Sequence, residues 1–431
     1  MKLLLIGPSR YNNDNTVFKL KKLQFPRLNM LHLAALTPKD VEIKIVEEIV
    51  EDIDFDENCD LVGITAFTSQ APRAYTIADE FRKRGKTVVM GGIHVSSLPD
   101  EGLAHADCVV IGEADYLWEQ VVNDFKNTSL KTTYKSEKLH DLKGFPVPRY
   151  DLINRKKYRR AVVVQASRGC PHDCDFCSVT KFFGGSYRAR PVDEVIRDVK
   201  ASGVKRIFFA DDNIIANRKY AAELFKKLTP LNIRWGGQAT ITLGHFPDLC
   251  KQMSDSGCQH LCVGIESINQ ASLDTVGKSH NKVSDYYRLI RTMVKNGLSL
   301  HFSMIVGLDG DDEAIFPDTL KFVSELKPLR AMLHVPTPYP GTKLAQRLES
   351  ENRLFHKDWS KYRDGSVVFQ PKNFSKERLE ELTLSAFKEI YSLKSVLVRC
   401  MFQPKLNILY SLALNFLDRK DAVRGMPLNG G

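Results

Sequence analysis

Short apolar runs alternate with amphipathic segments twice along this chain, and that alternation limits its folds more than any other feature. The first series is Leu3 to Ile6, Glu42 to Val46, Leu61 to Thr65, Val88 to Met90 and Cys108 to Ile111. Between them lie segments such as Ala71 to Lys86, polar on one side and apolar on the other. Strand and helix alternating at this spacing predict an open, doubly wound parallel sheet with helices on both faces. Ligands of such sheets bind at the carboxyl ends of the strands. Those ends are Gly7-Pro8-Ser9, Thr65 to Ser69, Gly91 to His94 and Gly112-Glu113, rich in small and polar residues.

A polar stretch rich in Lys, Thr and Pro follows, and Pro146 and Pro148 break any helix there, so residues 127–160 read as a linker. A second series then opens: Ala161 to Gln165, Arg206 to Ala210, Arg234 to Thr240, His260 to Ile265, Ser299 to Val306 and Ala331 to Val335. Six strand-helix units predict a partial, TIM-like (β/α)6 barrel, with its chemistry at the C-terminal strand ends. After Gly341 helix takes over. The expected division is a doubly wound domain over 1–126, the linker, a barrel over 161–345 and a helical C-terminal domain over 346–431.

Composition narrows the class. A chain of 431 residues, 43% hydrophobic and 26% charged, is globular and of several domains, not disordered or fibrous. Its 62 basic and 52 acidic residues give a net charge of +10, spread along the sequence, which suits an anionic ligand or a membrane surface; nucleic acid is not expected. The apolar run after Met1 is too short for a signal peptide, and no uninterrupted apolar stretch is long enough to span a bilayer. Nine cysteines are too few for a disulfide scaffold. A cytoplasmic location is expected. The last helical pattern, Leu406 to Leu417, sets Leu406, Leu409, Tyr410, Ala413, Phe416 and Leu417 on one face, with Lys405, Arg419, Lys420 and Arg424 flanking it. It reads as a domain-closing helix or as a peripheral membrane contact.

Directly after the first strand of the second series stand Cys170, Cys174 and Cys177, spaced C-x3-C-x2-C. Three thiolates on one short loop can hold three irons of a cubane cluster and leave the fourth open to a chelating ligand. Zinc is the competing reading, but it wants a fourth ligand, for which His172, Cys258 and Cys262 are the candidates. An auxiliary metal site using Cys250, Cys258 or Cys262 is a further alternative.

The cysteine loop with its aromatic Phe176, opening a barrel, resembles the radical S-adenosylmethionine superfamily over about residues 161 to 345. The resemblance implies that Cys170, Cys174 and Cys177 hold a [4Fe-4S] cluster whose open iron chelates S-adenosylmethionine. One electron then releases a 5'-deoxyadenosyl radical that takes hydrogen from substrate. It also implies that Asp211 or Asp212 meets the methionine ammonium. Gln238, Thr240, Glu266, Ser267 and Lys278, on the next helix, would lie near the ribose or the carboxylate. An electron donor of flavodoxin or ferredoxin type is implied as well.

A doubly wound domain ahead of such a barrel resembles the cobalamin-dependent branch, which contains the anaerobic magnesium-protoporphyrin ester cyclase and the hopanoid and bacteriochlorophyll methylases. The likeness rests on Val88 to His94 and Val109 to Asp115. It implies cobalamin at Gly91, Gly92, Gly112 and Glu113, with Thr65, Thr68 and Ser69 bonding its nucleotide tail. No D-x-H-x-x-G marks a cobalt ligand. His94 is the candidate to face the corrin.

These features point to methylation of an unactivated carbon on a large hydrophobic substrate, lipid or tetrapyrrole-like. The runner-up keeps the same cofactors but ends in oxidative cyclisation or rearrangement. Transfer-RNA methylthiolation would need three N-terminal cysteines, where this chain has only Cys59 and Cys108. A non-enzymatic cobalamin sensor would need no cysteine loop.

Overall fold

The computed structural model describes residues 1–423 except 137, 160, 364 and 405–407. The first series forms one parallel sheet from β1 (Lys2–Gly7), β2 (Glu42–Glu47), β3 (Leu61–Thr65), β4 (Thr87–Gly91), β5 (Cys108–Ile111) and β6 (Thr133–Lys135), ordered β2-β1-β3-β4-β5-β6. Alternation along the strands feeds two cores. Leu4, Ile6, Val62 and Ile64 pack with Ile77 and Phe81 of helix Ala71–Lys83, whereas Leu3, Leu5 and Leu61 pack with Met30 and Trp118 from helices Leu28–Leu36 and Trp118–Lys126. Strands buried on both faces read as continuous apolar runs, which is why these were legible. The edge strand β6 was not. It carries Thr, Tyr and Lys, buries only Tyr134, and falls inside the stretch read as a linker.

The second series is β7 (Val162–Val164), then a two-residue ladder of β8 (Ser167–Arg168) and β9 (Arg188–Ala189), then β10 (Arg206–Phe209), β11 (Arg234–Thr240), β12 (Cys258–Glu266), β13 (Leu300–Ile305) and β14 (Arg330–His334). Apart from that ladder, consecutive strands are neighbours and parallel, in the order β14-β13-β12-β11-β10-β7. The curve ends at β7 and β14 instead of closing: six strands of a barrel. Leu261, Val263 and Ile265 of β12 and Phe302 and Met304 of β13 face the surrounding helices in the main core.

Helices Lys376–Ile390, Leu393–Met401 and Ile408–Val423 cover the barrel's far side. The apolar face expected to close the domain turns outward. Helix Ile408–Val423 buries Ser411, Asn415 and Asp418, and leaves Leu409, Phe416 and Leu417 exposed. The reason is local: Arg330, opening β14, takes its carboxylate from Asp418, and the Leu329 carbonyl takes its donor from Asn415. Lys405, Leu406 and Arg424 lie outside the described residues. No described helix is long and apolar enough to cross a membrane.

Candidate functional site

The ladder of β8 and β9 clasps the loop that carries the cysteines, pairing Ser167 with Ala189 and Arg168 with Arg188. Gly169 opens the loop at φ +82°, where a Cβ would stand 1.9 Å from the Ser186 carbonyl oxygen, so only glycine fits. The Asp175 amide donates to the Val276 carbonyl at 3.0 Å, and the Asp175 carbonyl accepts from the Leu344 amide at 2.9 Å. The loop is thereby pinned to the segments that follow β12 and β14. Phe176 is wedged against Val276, Ile305 and Leu308.

Cys174 is buried, Cys170 and Cys177 are half-buried, and all three are free thiols. Burial pushes the Cys174 thiol up to about 11, against the pull of the Lys278 ammonium. Tetrahedral zinc needs a fourth protein ligand converging with the three thiolates on one ion. A cubane does not, because each thiolate meets its own iron, and the three-thiol donor set on one pinned loop fits it. Cys250 and Cys258 are buried in the core and Cys262 is half-buried, all with thiols raised by burial, so they act as small hydrophobes.

Two aspartates follow β10 and face different ways. Asp211 is fully buried, accepting from the Ser167 hydroxyl and from the Ala166 amide at 3.1 Å, and burial raises its carboxyl to about 7. It staples the entrance of the loop and does not reach the mouth. Asp212 accepts the Gly169 amide at 2.9 Å and lines the cavity described below. After β12, Glu266 sits at φ +64°, a strained conformation for a branchless acid, and its Oε1 takes the Lys278 ammonium at 2.9 Å. Lys278 lies in the turn beyond helix Gln270–Thr275, only 8% exposed. Burial opposes its charge, but Glu266 and the facing Cys174 and Cys177 outweigh that and raise its pKa. Thr240 bonds Thr242 at 2.7 Å, Ser267 accepts the Asn269 amide at 3.1 Å, and Gln238 is exposed on β11.

A cavity of about 440 Å³ lies between the strand ends of the first sheet and this loop. Thr65, Gly91, Gly92, Gly112 and Glu113 line one wall; Gln165, Arg168, Asp212 and helix Ser178–Phe183, which follows the last cysteine, line the other. Its floor runs into the first domain between Leu5, Met30, Leu33, Gly63 and Trp118, an apolar channel. Gly92, at φ +99°, would place a Cβ 2.8 Å from the Ala66 carbonyl oxygen. Bare glycines beside a deep apolar channel fit a bulky flat cofactor with an extended tail.

Thr68, Ser69 and His94 are not among the lining residues. His94 is 1% exposed, its Nε2 bonded to the Tyr75 hydroxyl at 3.0 Å and its Nδ1 3.4 Å from the Thr68 hydroxyl. The helix that starts at Ile93 turns Ile93 to the cavity and His94 into the core. The histidine that does line the wall is His32, 4% exposed, with no hydrogen-bond partner for Nε2 among the described residues and held neutral by burial, which lowers its pKa to about 3. An isolated histidine inside an apolar helix gave no signal in sequence. Arg168 and Asp115 were also missed, although they flank the cysteine loop and the Gly112 turn.

The chain matches the Radical SAM superfamily over residues 164–323 and the B12 binding domain over residues 29–122. It is 31% identical over 404 residues to the bacteriochlorophyllide d C-8(2)-methyltransferase of Chlorobaculum tepidum, covering 88% of this chain and 89% of that protein. It is 29% identical over 390 residues to the C-12(1)-methyltransferase of the same organism, covering 88% and 85%. Among solved structures, the radical methyltransferase TsrM of Kitasatospora setae, with cobalamin and a [4Fe-4S] cluster bound, shares the fold at a TM-score of 0.64 and 15% identity, over 81% of this chain and 75% of that one. With a glycine-lined cavity bordered by the residues that flank the cysteine loop, this chain belongs to the cobalamin-dependent branch of the radical S-adenosylmethionine superfamily.

Proposed function

We propose that this chain methylates an unactivated carbon of a large hydrophobic substrate, of tetrapyrrole or lipid type. The observation that carries the reading is the one cavity that joins Gly91, Gly92 and Gly112 to Asp212 and the helix after Cys177. Cys170, Cys174 and Cys177 would hold the [4Fe-4S] cluster, and the glycine wall and apolar channel would hold cobalamin. When bound, these groups supply homolytic cleavage of S-adenosylmethionine and carriage of its methyl group.

The protein's own part is binding, orientation and exclusion of water. Asp212 presents a carboxylate where the methionine ammonium would lie, and Lys278, fixed by Glu266, presents a cation beside the cysteine loop. Phe182 and Phe183 give the cavity an apolar wall, where electrostatic contacts strengthen as water leaves. Glu113 is engaged by Arg188 at 2.9 Å, so it positions the wall as well as lining it. The relatives' bacteriochlorophyllide substrates and the net charge of +10 support a hydrophobic, anionic substrate. A flavodoxin or ferredoxin type donor would supply electrons. Nine free cysteines support a reducing, cytoplasmic setting, with a peripheral membrane contact near such a substrate.

The test is anaerobic reconstitution with iron, sulfide and hydroxocobalamin, then turnover of tetrapyrrole and lipid extracts with methyl-labelled S-adenosylmethionine and a low-potential reductant. A product heavier by one labelled methylene is expected. An unlabelled, cyclised or dehydrogenated product would put oxidative ring closure in its place.

A further inference from the structure

Helices Leu393–Met401 and Ile408–Val423 pack on each other at the foot of the barrel, where its strands begin. Both attach through polar groups, helix Leu393–Met401 through buried Val396 and Cys400 as well. Asn415 donates to the Leu329 carbonyl at 2.9 Å, Asp418 accepts from Arg330 at 2.6 Å, and Arg399 donates to the Leu329 and Ile390 carbonyls at 2.9 Å each. The opposite faces are apolar and open: Leu393, Leu397 and Met401 are 51, 48 and 61% exposed, and Leu409, Phe416 and Leu417 are 71, 44 and 45% exposed. A surface helix ordinarily buries its apolar stripe. Here helix Ile408–Val423 inverts that rule, and the adjacent helix Leu393–Met401, which buries Val396 and Cys400, still leaves three apolar side chains open; exposed apolar surface of this kind marks an interaction site.

We propose that these two helices are a docking surface for an anionic lipid bilayer. The exposed charges described on them, Lys394 and Lys420, are both basic, and the Lys327 amine lies 3.8 Å from the centroid of the exposed Phe402 ring. A two-fold contact between copies sets the same patch on both sides, so a surface carrying Lys394 and Lys420 would meet one carrying the same basic charges. Anionic headgroups neutralise them instead, while the leucines and Phe416 enter the acyl boundary. The patch lies at the strand starts and the cavity at the strand ends, so docking anchors the enzyme without covering its mouth. The functional reading above enters only as the reason a bilayer is nearby, a hydrophobic substrate; the surface itself is tested without turnover.

Flotation of the reconstituted holoenzyme with vesicles of phosphatidylcholine, alone or with phosphatidylglycerol, reads the contact directly. Wild type floats with the anionic vesicles, about tenfold less with the neutral ones. The Leu397→Asp/Phe416→Asp variant stays soluble with unchanged iron and corrinoid content. Three results overturn the proposal: wild type soluble with both vesicles, equal flotation of the variant, or a wild-type dimer in sedimentation velocity that the double substitution splits. None depends on whether the product is methylated, so failure here is distinct from failure of the proposed reaction.

Discussion

Arg168, two residues ahead of Cys170, grips the Asp115 carboxylate with both terminal nitrogens, Nη2 to Oδ1 at 3.1 Å, and both side chains are nine-tenths buried. Asp115 stands just past the Gly112 turn, so one ion pair spans the two walls of the cavity. Removing one partner of a buried pair costs about 3–5 kcal/mol, because the other charge stays desolvated. Asp115→Asn is expected to retain iron and bound corrinoid yet to slow methylation of cobalamin by S-adenosylmethionine, on the order of 100-fold, since a displacement near 1 Å is enough for that. The absorbance change on cobalamin methylation measures it. Lost iron with an unchanged methylation rate per remaining cluster would show instead that the pair serves the loop alone.

The Lys278 ammonium and the Glu266 carboxylate make a second buried pair, at 2.9 Å. Lys278→Met strands Glu266 and should destabilise the protein by about 3–5 kcal/mol, whereas Lys278→Met/Glu266→Gln removes both charges and should recover most of that. If Lys278 also meets the carboxylate of S-adenosylmethionine, the double variant melts like wild type but binds the ligand at least about tenfold more weakly, as a lost charge-assisted bond implies. Calorimetric melting and equilibrium dialysis separate the two effects. Normal ligand affinity in the double variant confines Lys278 to a structural role.

Both parallel sheets were legible because β1, β3, β4 and β12 carry apolar runs that survive any context, and the cysteine loop because its spacing is local. What sequence could not supply was direction. Asp211 and Asp212 are adjacent and chemically identical, yet the backbone turns one into the Ser167 and Ala166 donors and the other to the cavity. His94 follows two glycines at a strand end, and one residue of helical rotation carries it into the Tyr75 pocket. The C-terminal stripe was read correctly as apolar, but its orientation depends on Arg330, 88 residues away from Asp418.

The burial of Asp211 gives stability a pH dependence. Its carboxyl lies near 7 in the folded chain, against about 3.9 when unfolded. The native state therefore holds a proton that the unfolded chain releases, and the contribution is complete below about pH 4 and lost as pH rises toward 7. Asp211→Asn cannot ionise. Relative to wild type, its melting temperature should rise between pH 5 and pH 8, whatever the fixed cost of replacing one acceptor oxygen by a donor. A pH-independent difference between the two would mean that Ser167 and Ala166 stabilise the carboxylate enough to cancel its burial.

Gly63 offers the most selective access to the proposed corrinoid channel. It sits on β3 within an apolar run, and a Cβ there would lie 2.8 Å from Leu5 Cδ2 and 3.3 Å from the Trp118 ring. Strand geometry accepts valine, so Gly63→Val fills the channel floor without straining the backbone, and overpacking costs about 1–3 kcal/mol. The variant should keep its iron, since Cys170, Cys174 and Cys177 are not among the residues that line the cavity with Gly63, and should lose corrinoid. Iron and cobalt counted on one reconstituted sample decide the matter. Stoichiometric cobalt in a folded Gly63→Val protein would mean that the tail does not enter between Leu5 and Trp118, and the glycine wall alone would then have to carry the cofactor.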